Sequence, residues 1–419
     1  MSRRPIHMRV AIVVLGDFGQ SPRMQYHALA LADSGRDVEV IAYAGSAPFR
    51  AVSDHPRITM HLTRAPIAAA RRLPGFFFVA WQFIRVCGQG LGLLWNLLLK
   101  VDKPDVVLVQ NPPAVPTLAI ALVAARLRSA RLVIDWHNFS HAMLALRLGR
   151  EHWAVRLLRS HERFFGRRAA AHLCVSRAMQ SELRAHWQIP GAVVLYDRPA
   201  QMFAPTRSEA RPAVLRRLLA GVAPAQDDGR RSAIVVCPTS WTSDEDISIL
   251  IRAAVRCDEM ARAGKSFAEL LILITGRGAL RDQYEEEIGK LTLRGIHLRT
   301  LWLAAEDYAL LLGCADLGVS CHRSASGIDL PMKIADLFGA GVPVCALDYG
   351  PVLAEQVHHG RNGLLFADAE QLAAQLYELF EGFPAHAPLL DRLRDQVQSQ
   401  PRISWGEGWN TEAAHVFAD

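Results

Sequence analysis

Paired cysteines are what this sequence most plainly lacks. Its seven cysteines (Cys87, Cys174, Cys237, Cys257, Cys314, Cys321, Cys345) are odd in number, and no two are spaced Cys-x-x-Cys. A disulfide framework or a cysteine-based zinc site is therefore not expected, and reduced thiols are. A strong charge bias is missing too. Lys and Arg number 47 against 41 Asp and Glu, a net charge of +6 without a clustered basic run. That argues against a nucleic-acid partner and suits an anionic small molecule or an anionic membrane surface. No signal peptide is legible, because the apolar run Met8 to Leu15 is short and ends in Gly16-Asp17 with no small-residue cleavage site. Fixed-period repeats and low-complexity tracts are absent as well. The chain is 51% hydrophobic and 21% charged, which is the composition of a globular protein.

At 419 residues the chain is too long for one ordinary core, so two domains are expected. Apolar runs alternate with helical patterns, which predicts parallel sheets covered on both faces. Candidate strands are Arg9 to Leu15, Val38 to Ala42, Val106 to Gln110, Arg131 to Asp135 and Ala171 to Val175. The alternation breaks in the Pro- and Arg-rich stretch from Arg198 to Ser232. It resumes with Ala233 to Cys237, Leu270 to Thr275, Leu317 to Ser320 and Val342 to Leu347. The expected division is residues 1–205, residues 206–400, and a tail of residues 401–419 returning as a helix to the first domain. Two such α/β domains would face a cleft at the carboxyl ends of their strands, where ligands bind.

One long apolar run stands out. Leu73 to Leu99 reads LPGFFFVAWQFIRVCGQGLGLLWNLLL, with Arg85 as its one charge. It is long enough to span a bilayer. Gly88, Gly90 and Gly92 interrupt it, though, and the strand after it must rejoin the first sheet. A helix lying in the headgroup region, flanked by Arg71, Arg72 and Lys100, is the preferred expectation. An ordinary buried helix stays open as the alternative.

Five stretches can carry chemistry. In VLGDFGQSPRMQYHALALA (14–32), Gly16 and Gly19 form a βα turn that can approach an anion, Arg23 can add a charged bond to a phosphate, and Asp17 stands at the strand end. A plain turn explains the same spacing. In LVIDWHNFSHAM, Asp135 and His137 alternate at a strand end, a pairing that can hold a proton acceptor. His137 and His141 are four apart but have no third ligand nearby, so no metal is expected. In PTSWTSDEDISIL, the acids Asp244, Glu245 and Asp246 read as cap and first-turn residues of a helix, with Thr242 or Ser243 as the cap. In ITGRGALRDQY, Arg277 sits between two glycines at a strand end, placed for a diphosphate. In SGIDLPMKIADLFGAGVP, Ser326 and Gly327 precede a helix expected to start near Pro331 and can offer amides to a diphosphate. Lys333 and Asp336, three apart, share a face.

Together these stretches, with CVSRAM, VLYDRPA and AEDYALLLGCADLGVSCHRSASGIDLPMKIADLFGAGVPVCAL, resemble the chitobiosyldiphosphodolichol β-mannosyltransferases over most of the chain. The resemblance implies an α/β protein of two Rossmann-like domains facing a cleft, the GT-B glycosyltransferase fold. It implies a mannosyltransferase that takes GDP-mannose and makes a β-1,4-mannoside, with inversion, on a lipid diphosphate-linked GlcNAc-type acceptor, either dolichyl or polyprenyl. No cofactor and no obligatory metal are implied. Donor binding would fall to Arg277, Ser326, Gly327, Lys333 and Asp336, the last holding the ribose. Acceptor or phosphate binding would fall to Gly16, Gly19 and Arg23. Asp17, Asp135 and His137 are the candidate bases, and the sequence does not choose among them. Retaining relatives carry Glu-x7-Glu across the same helix. Here Asp336 matches the second acid, while Ile328 replaces the first with Asp329 beside it, in keeping with inversion. Family members usually carry a membrane anchor before the first strand, and seven residues stand there here. The expectation is therefore a bacterial-type homologue, cytoplasmic and peripheral on the inner face of the membrane. Two alternatives stay open: a glycosyltransferase of other specificity in surface-polysaccharide synthesis, and a non-catalytic sugar-nucleotide-binding subunit.

Overall fold

The computed structural model describes residues 8–65, 75–222, 231–263 and 268–418, with the backbone alone for residues 75–80. Arg71 and Arg72, expected to flank the long apolar run, lie outside the described residues. The chain divides into two units. Unit 1 runs to Tyr196 and takes in the segment from Gly406, and unit 2 runs from Asp197 to Trp405. The division thus falls upstream of the junction expected at 205/206.

Unit 1 is built in the order β1 (Arg9–Asp17), α1 (Pro22–Asp33), β2 (Asp37–Ala44), α2 (Arg50–Ser53), β3 (Ile58–Arg64), α3 (Gly75–Trp95), β4 (Val106–Asn111), α4 (Thr117–Arg128), β5 (Arg131–Trp136), α5 (Ser140–Leu148), α6 (Trp153–Gly166), β6 (Ala171–Cys174), α7 (Arg177–Ala185) and β7 (Ala192–Val194). Its seven strands are parallel, in the order β3-β2-β1-β4-β5-β6-β7. Val10 to Val14 are all 1% exposed or less, because both faces of the central strands are covered by helices. The order reverses between β1 and β4, and loops that follow strands at such a point can hold ligands.

Unit 2 follows with α8 (Arg211–Leu218), β8 (Ala233–Pro238), α9 (Ile247–Arg262), β9 (Leu270–Thr275), α10 (Arg281–Gly289), β10 (Ile296–Leu301), α11 (Ala305–Cys314), β11 (Leu317–Ser320), α12 (Met332–Gly339), β12 (Val344–Leu347), β13 (Gly363–Phe366), α13 (Ala369–Phe380) and α14 (Pro388–Ser399). Its six parallel strands lie in the order β10-β9-β8-β11-β12-β13. Every residue of β8 and β9 is buried, and a separate apolar cluster covers each face of the sheet.

The last helix, α15 (Trp405–Glu412), from Gly406 on, and the turn Ala414–Phe417 belong to unit 1. The buried Trp409 stacks on Phe417, and its indole N–H donates to His27 Nδ1 at 3.1 Å. Arg36 and Arg131 donate to the carbonyls of Phe417 and Ala418, each at 2.9 Å. All the described cysteines are free thiols, and six of the seven are buried.

The strands that the sequence did not declare are β3, β7, β10 and β13. β3 and β10 are edge strands (ITMHLTR and IHLRTL) with several partly covered or exposed residues and interspersed polar side chains, so they lack the continuous apolar run of a central strand.

Candidate active site

Unit 1 gathers a polar cluster at the end of β5. Asp135 is fully buried, and its carboxylate accepts four hydrogen bonds. Arg23 donates from Nε at 2.8 Å and from Nη2 at 2.9 Å. His27 Nε2 lies at 3.1 Å and His137 Nε2 at 2.8 Å. Burial alone would raise this carboxyl, but the Arg23 guanidinium and His137 outweigh it and hold the group well below the usual range. His27, driven down chiefly by burial, is neutral. Trp409 occupies its Nδ1, so its proton sits on Nε2 facing Asp135. The same ionised carboxylate requires a proton on Nε2 of His137, which leaves Nδ1 of that ring open as an acceptor. His137 is the member of the cluster that reaches solvent, with its side chain 21% exposed.

The other predicted residues of unit 1 are placed differently. Arg23 is 2% exposed, and a further donor, Nη1, goes to the Leu195 carbonyl at 2.8 Å, so it is a buried clamp on Asp135 and not a surface cation awaiting phosphate. Asp17 accepts from the amides of Gly19 and Ser46 (3.0 and 2.8 Å) and from the Ser46 hydroxyl (2.9 Å), tying the turn after β1 to the loop after β2. A Cβ at Gly19 would sit 2.2 Å from the Ser46 carbonyl oxygen, so this glycine serves the close approach of those loops, while the space beside Gly16 is open. His141 does not join His137. It bonds Glu162, a second buried carboxylate, at 2.6 Å.

In unit 2 the loops after β8, β9 and β11 meet where the strand order reverses. The loop after β8 pairs with the one after β11 through a bridge between Glu245 and His322, and Arg323 N donates to the Asp244 carbonyl at 2.7 Å. The Gly276–Gly278 turn packs backbone to backbone on the same loop. A Cβ at either glycine would fall 1.8 Å from a carbonyl oxygen, of Thr239 or Ser240 respectively, and Gly276 has φ +145°. Arg277 is thereby presented outward, its guanidinium 3.5 Å from the centre of the Trp302 ring.

The acids of this loop are not all helix caps. Asp246 caps α9, accepting from Ser248 N at 3.2 Å. Glu245 turns inward to accept from Thr239 Oγ1 at 2.7 Å, from Ser240 N at 2.5 Å and from Lys333. Lys333 also donates to Ser240 Oγ at 3.0 Å, so its ion pair is with Glu245 and not with Asp336 on its own helix. Asp336 is half-buried. Burial first and the neighbouring Asp197 second push its carboxyl well above the usual range, with Lys333 opposing.

α12 begins at Met332 with Pro331 as the residue before it, close to the expected start, and Ser326 and Gly327 lie in the loop that precedes it. That loop is organised on Asp329, which accepts from Ser324 and from Ser326 Oγ (3.0 Å), while Gly327 N donates to Ser324 Oγ at 2.7 Å. His322, which no motif in the sequence singles out, lies 3.4 Å from both Asp244 and Asp329. Burial would lower this imidazole, but its two carboxylate partners outweigh that and raise it to about 9, so it is a cation at neutral pH. A lone His after a strand carries no such signal in sequence, because its acids arrive from two different loops. Among the described residues no group of three His, Cys, Asp or Glu could hold a metal ion.

Known proteins resemble this chain over its whole length. Residues 18–197 match the Glycosyl transferase 4-like domain, and residues 232–382 match Glycosyl transferases group 1. A protein of Arabidopsis thaliana named UDP-glycosyltransferase TURAN is 42% identical over 96% of this chain and 95% of its own. The chitobiosyldiphosphodolichol beta-mannosyltransferases of Mus musculus and Homo sapiens are 39% and 38% identical, over 99% and 96% of this chain and 90% of each of theirs. Among solved structures, Anabaena Alr3699/HepE with UDP-glucose superposes with a TM-score of 0.68 at 17% identity, covering 98% of this chain and 100% of its own. WaaG, a glycosyltransferase involved in lipopolysaccharide biosynthesis, does so with a TM-score of 0.59 at 17% identity, covering 95% and 97%. The fold is thus that of the two-domain GT-B glycosyltransferases, and the chain belongs to the chitobiosyldiphosphodolichol β-mannosyltransferase family.

Proposed function

We propose that this glycosyltransferase moves mannose from GDP-mannose to a lipid diphosphate-linked GlcNAc-type acceptor, forming a β-1,4-mannoside with inversion. The observation that carries the reading is His137. An inverting transfer needs a base to take the acceptor hydroxyl's proton as that oxygen attacks the anomeric carbon opposite the leaving diphosphate. His137 offers an open Nδ1, and the buried, ionised Asp135 fixes its tautomer from behind, which makes Asp135 a positioning residue. In unit 2, Arg277 and Lys333 lie at the carboxyl ends of the strands and stabilise the charge that grows on the diphosphate. Asp336 reads the ribose. The chemistry calls for no cofactor and no obligatory metal.

The membrane is the second partner we propose, on the inner face. Among the described residues no helix is long and apolar enough to cross it. α3 and its continuation bury Leu93 and Leu97 but expose Phe83, Ile84, Leu91 and Trp95. In the same unit, α6 exposes Trp153, Leu157 and Phe164 alongside Arg156, Arg159 and Arg163. Apolar side chains interleaved with arginine suit an anionic interface.

The test is a transfer assay of purified protein with several sugar nucleotides, UDP- and GDP-linked, and a prenyl diphosphate chitobiose. A β-mannoside formed only from GDP-mannose is the expected product. Transfer of another sugar, or binding without turnover, would replace the reading with one of its two alternatives.

A further inference from the structure

Unit 1 holds a cavity of about 380 Å³ between α3 and the carboxyl ends of β1, β2 and β3. Val14, Ile41, Trp81, Ile84 and Leu93 give it a mostly apolar lining. Its size is that of a small-molecule site, at the lower end of the range of about 300–1,000 Å³.

Two glycines keep this space open. Gly88 and Gly92 both line it, one helical turn apart, and no atom lies within 4 Å of where a Cβ would stand at either. Glycine inside a helix costs about 1 kcal/mol relative to alanine. Gly90 between them has a neighbour to pack on, since its Cβ position is 3.4 Å from Ile120, an ordinary van der Waals contact. Gly88 and Gly92 have none among the described residues, and filling the cavity is what side chains there would do.

The polar groups sit together. Arg85 lines the cavity one turn before Gly88, and Gln89, which also lines it, donates to Tyr43 Oη at 3.0 Å. Arg85 Nε is buried and makes no hydrogen bond among the described residues. Arg64, exposed at the end of β3, lines the same cavity. Such a slot suits neither a sugar nor a base, each of which needs several hydrogen-bonding partners along its length. It suits a molecule with an apolar tail and an anionic head. Trp81 and Ile84 line the cavity and are also exposed on α3, the helix whose apolar face we lay on the bilayer.

We propose that this cavity takes the isoprene units next to the diphosphate of a polyprenyl diphosphate acceptor, with Arg85 and Arg64 on the diphosphate. The proposal rests on the lipid-linked acceptor read above, and it adds where the lipid is recognised and which residues set its preference for a prenyl tail.

The experiment fills the slot. Gly88→Leu and Gly92→Leu are made singly, with thermal melts to verify folding. Transfer is measured to chitobiosyl diphosphates bearing either a methyl group or four isoprene units. In the wild type kcat/KM favours the prenyl acceptor, and in the leucine variants that preference should fall about tenfold or more toward one. Retention of the preference in a folded variant would overturn the proposal. Binding is measured separately with geranylgeranyl diphosphate, geranylgeraniol and inorganic diphosphate. Geranylgeranyl diphosphate should bind the wild type and lose about tenfold or more in affinity in either leucine variant. Arg85→Gln should weaken the diphosphate about tenfold while leaving the alcohol within twofold. Equal binding by wild type and leucine variants would overturn the proposal even if transfer fails. Absence of transfer to either acceptor, with these binding differences intact, would count against the mannosyl-transfer reading alone.

Discussion

His137 gains its proposed role from neighbours that never meet the substrate. Arg23, His27 and Trp409 do nothing at the surface, yet together they keep Asp135 charged and keep one tautomer on each imidazole. His137→Ala should therefore cost about 10²–10⁴ in kcat with the donor KM unchanged. Steady-state kinetics over both substrates checks this, and near-normal turnover would move the base elsewhere. Asp336 offers a second contrast. Burial and, second, Asp197 raise its carboxyl well above the usual range, which favours the protonated form. Asp336→Asn should then keep donor affinity within a few-fold, while Asp336→Ala, which leaves the donor's hydroxyl without a partner, should lose about five- to a hundredfold, roughly 1–3 kcal/mol. Calorimetry with the nucleotide sugar separates the two, and an equal loss in both variants would mean that the ionised acid is what binds.

At the scale of elements, the loops of unit 2 depend on backbone contacts that admit no side chain. Gly276→Ala would drive a methyl group into the Thr239 carbonyl at a φ that favours glycine, and should cost about 2–3 kcal/mol, read as a lower melting temperature together with weaker donor binding. α6 lends itself to the opposite design, since Trp153, Leu157 and Phe164 are exposed. Changing all three to Ser should leave the melting temperature within a few degrees and reduce flotation with anionic liposomes. Unchanged flotation would remove α6 from the membrane surface.

These elements also mark what the sequence revealed. Central strands such as β1, β8 and β9 were legible because a strand buried on both faces is a continuous apolar run. Edge strands β3 and β10 were not, because their polar residues at the sheet edge interrupt the apolar run. Asp135 and His137 were legible as a pair at one strand end, whereas the Arg23 clamp, 112 residues away, was not. Glu245 looked like any acid at a helix start, and its turn toward Lys333 is decided by a helix residue 88 positions later.

Across the whole molecule the two units answer pH in opposite senses. In unit 1, burial brings His172 down to about 4, so the unfolded chain, near 6.5, takes up a proton more readily than the folded one. Stability of unit 1 should fall as pH drops from about 6.5 toward 4. In unit 2, His322 is raised to about 9, so its contribution is complete below about 6.5 and is lost as pH rises through 9. That contribution is on the order of 2–3 kcal/mol. Urea titrations at pH 5, 7 and 9, followed by limited proteolysis in each unit, should show unit 1 opening first in acid and unit 2 first in base. His322→Gln should flatten the alkaline limb, and an unaltered limb would show that other groups govern it.

The return of α15 to unit 1 bears on how the protein is born. His27 leaves the ribosome 382 residues ahead of Trp409, the donor to its Nδ1, which follows only after all of unit 2 has been synthesised. At about 5–20 residues per second that interval is on the order of tens of seconds. Through it the nascent first unit holds a gap where Trp409 and Phe417 will sit, an apolar opening for a chaperone to cover. The unit that starts first on the chain is thus the one that is finished last.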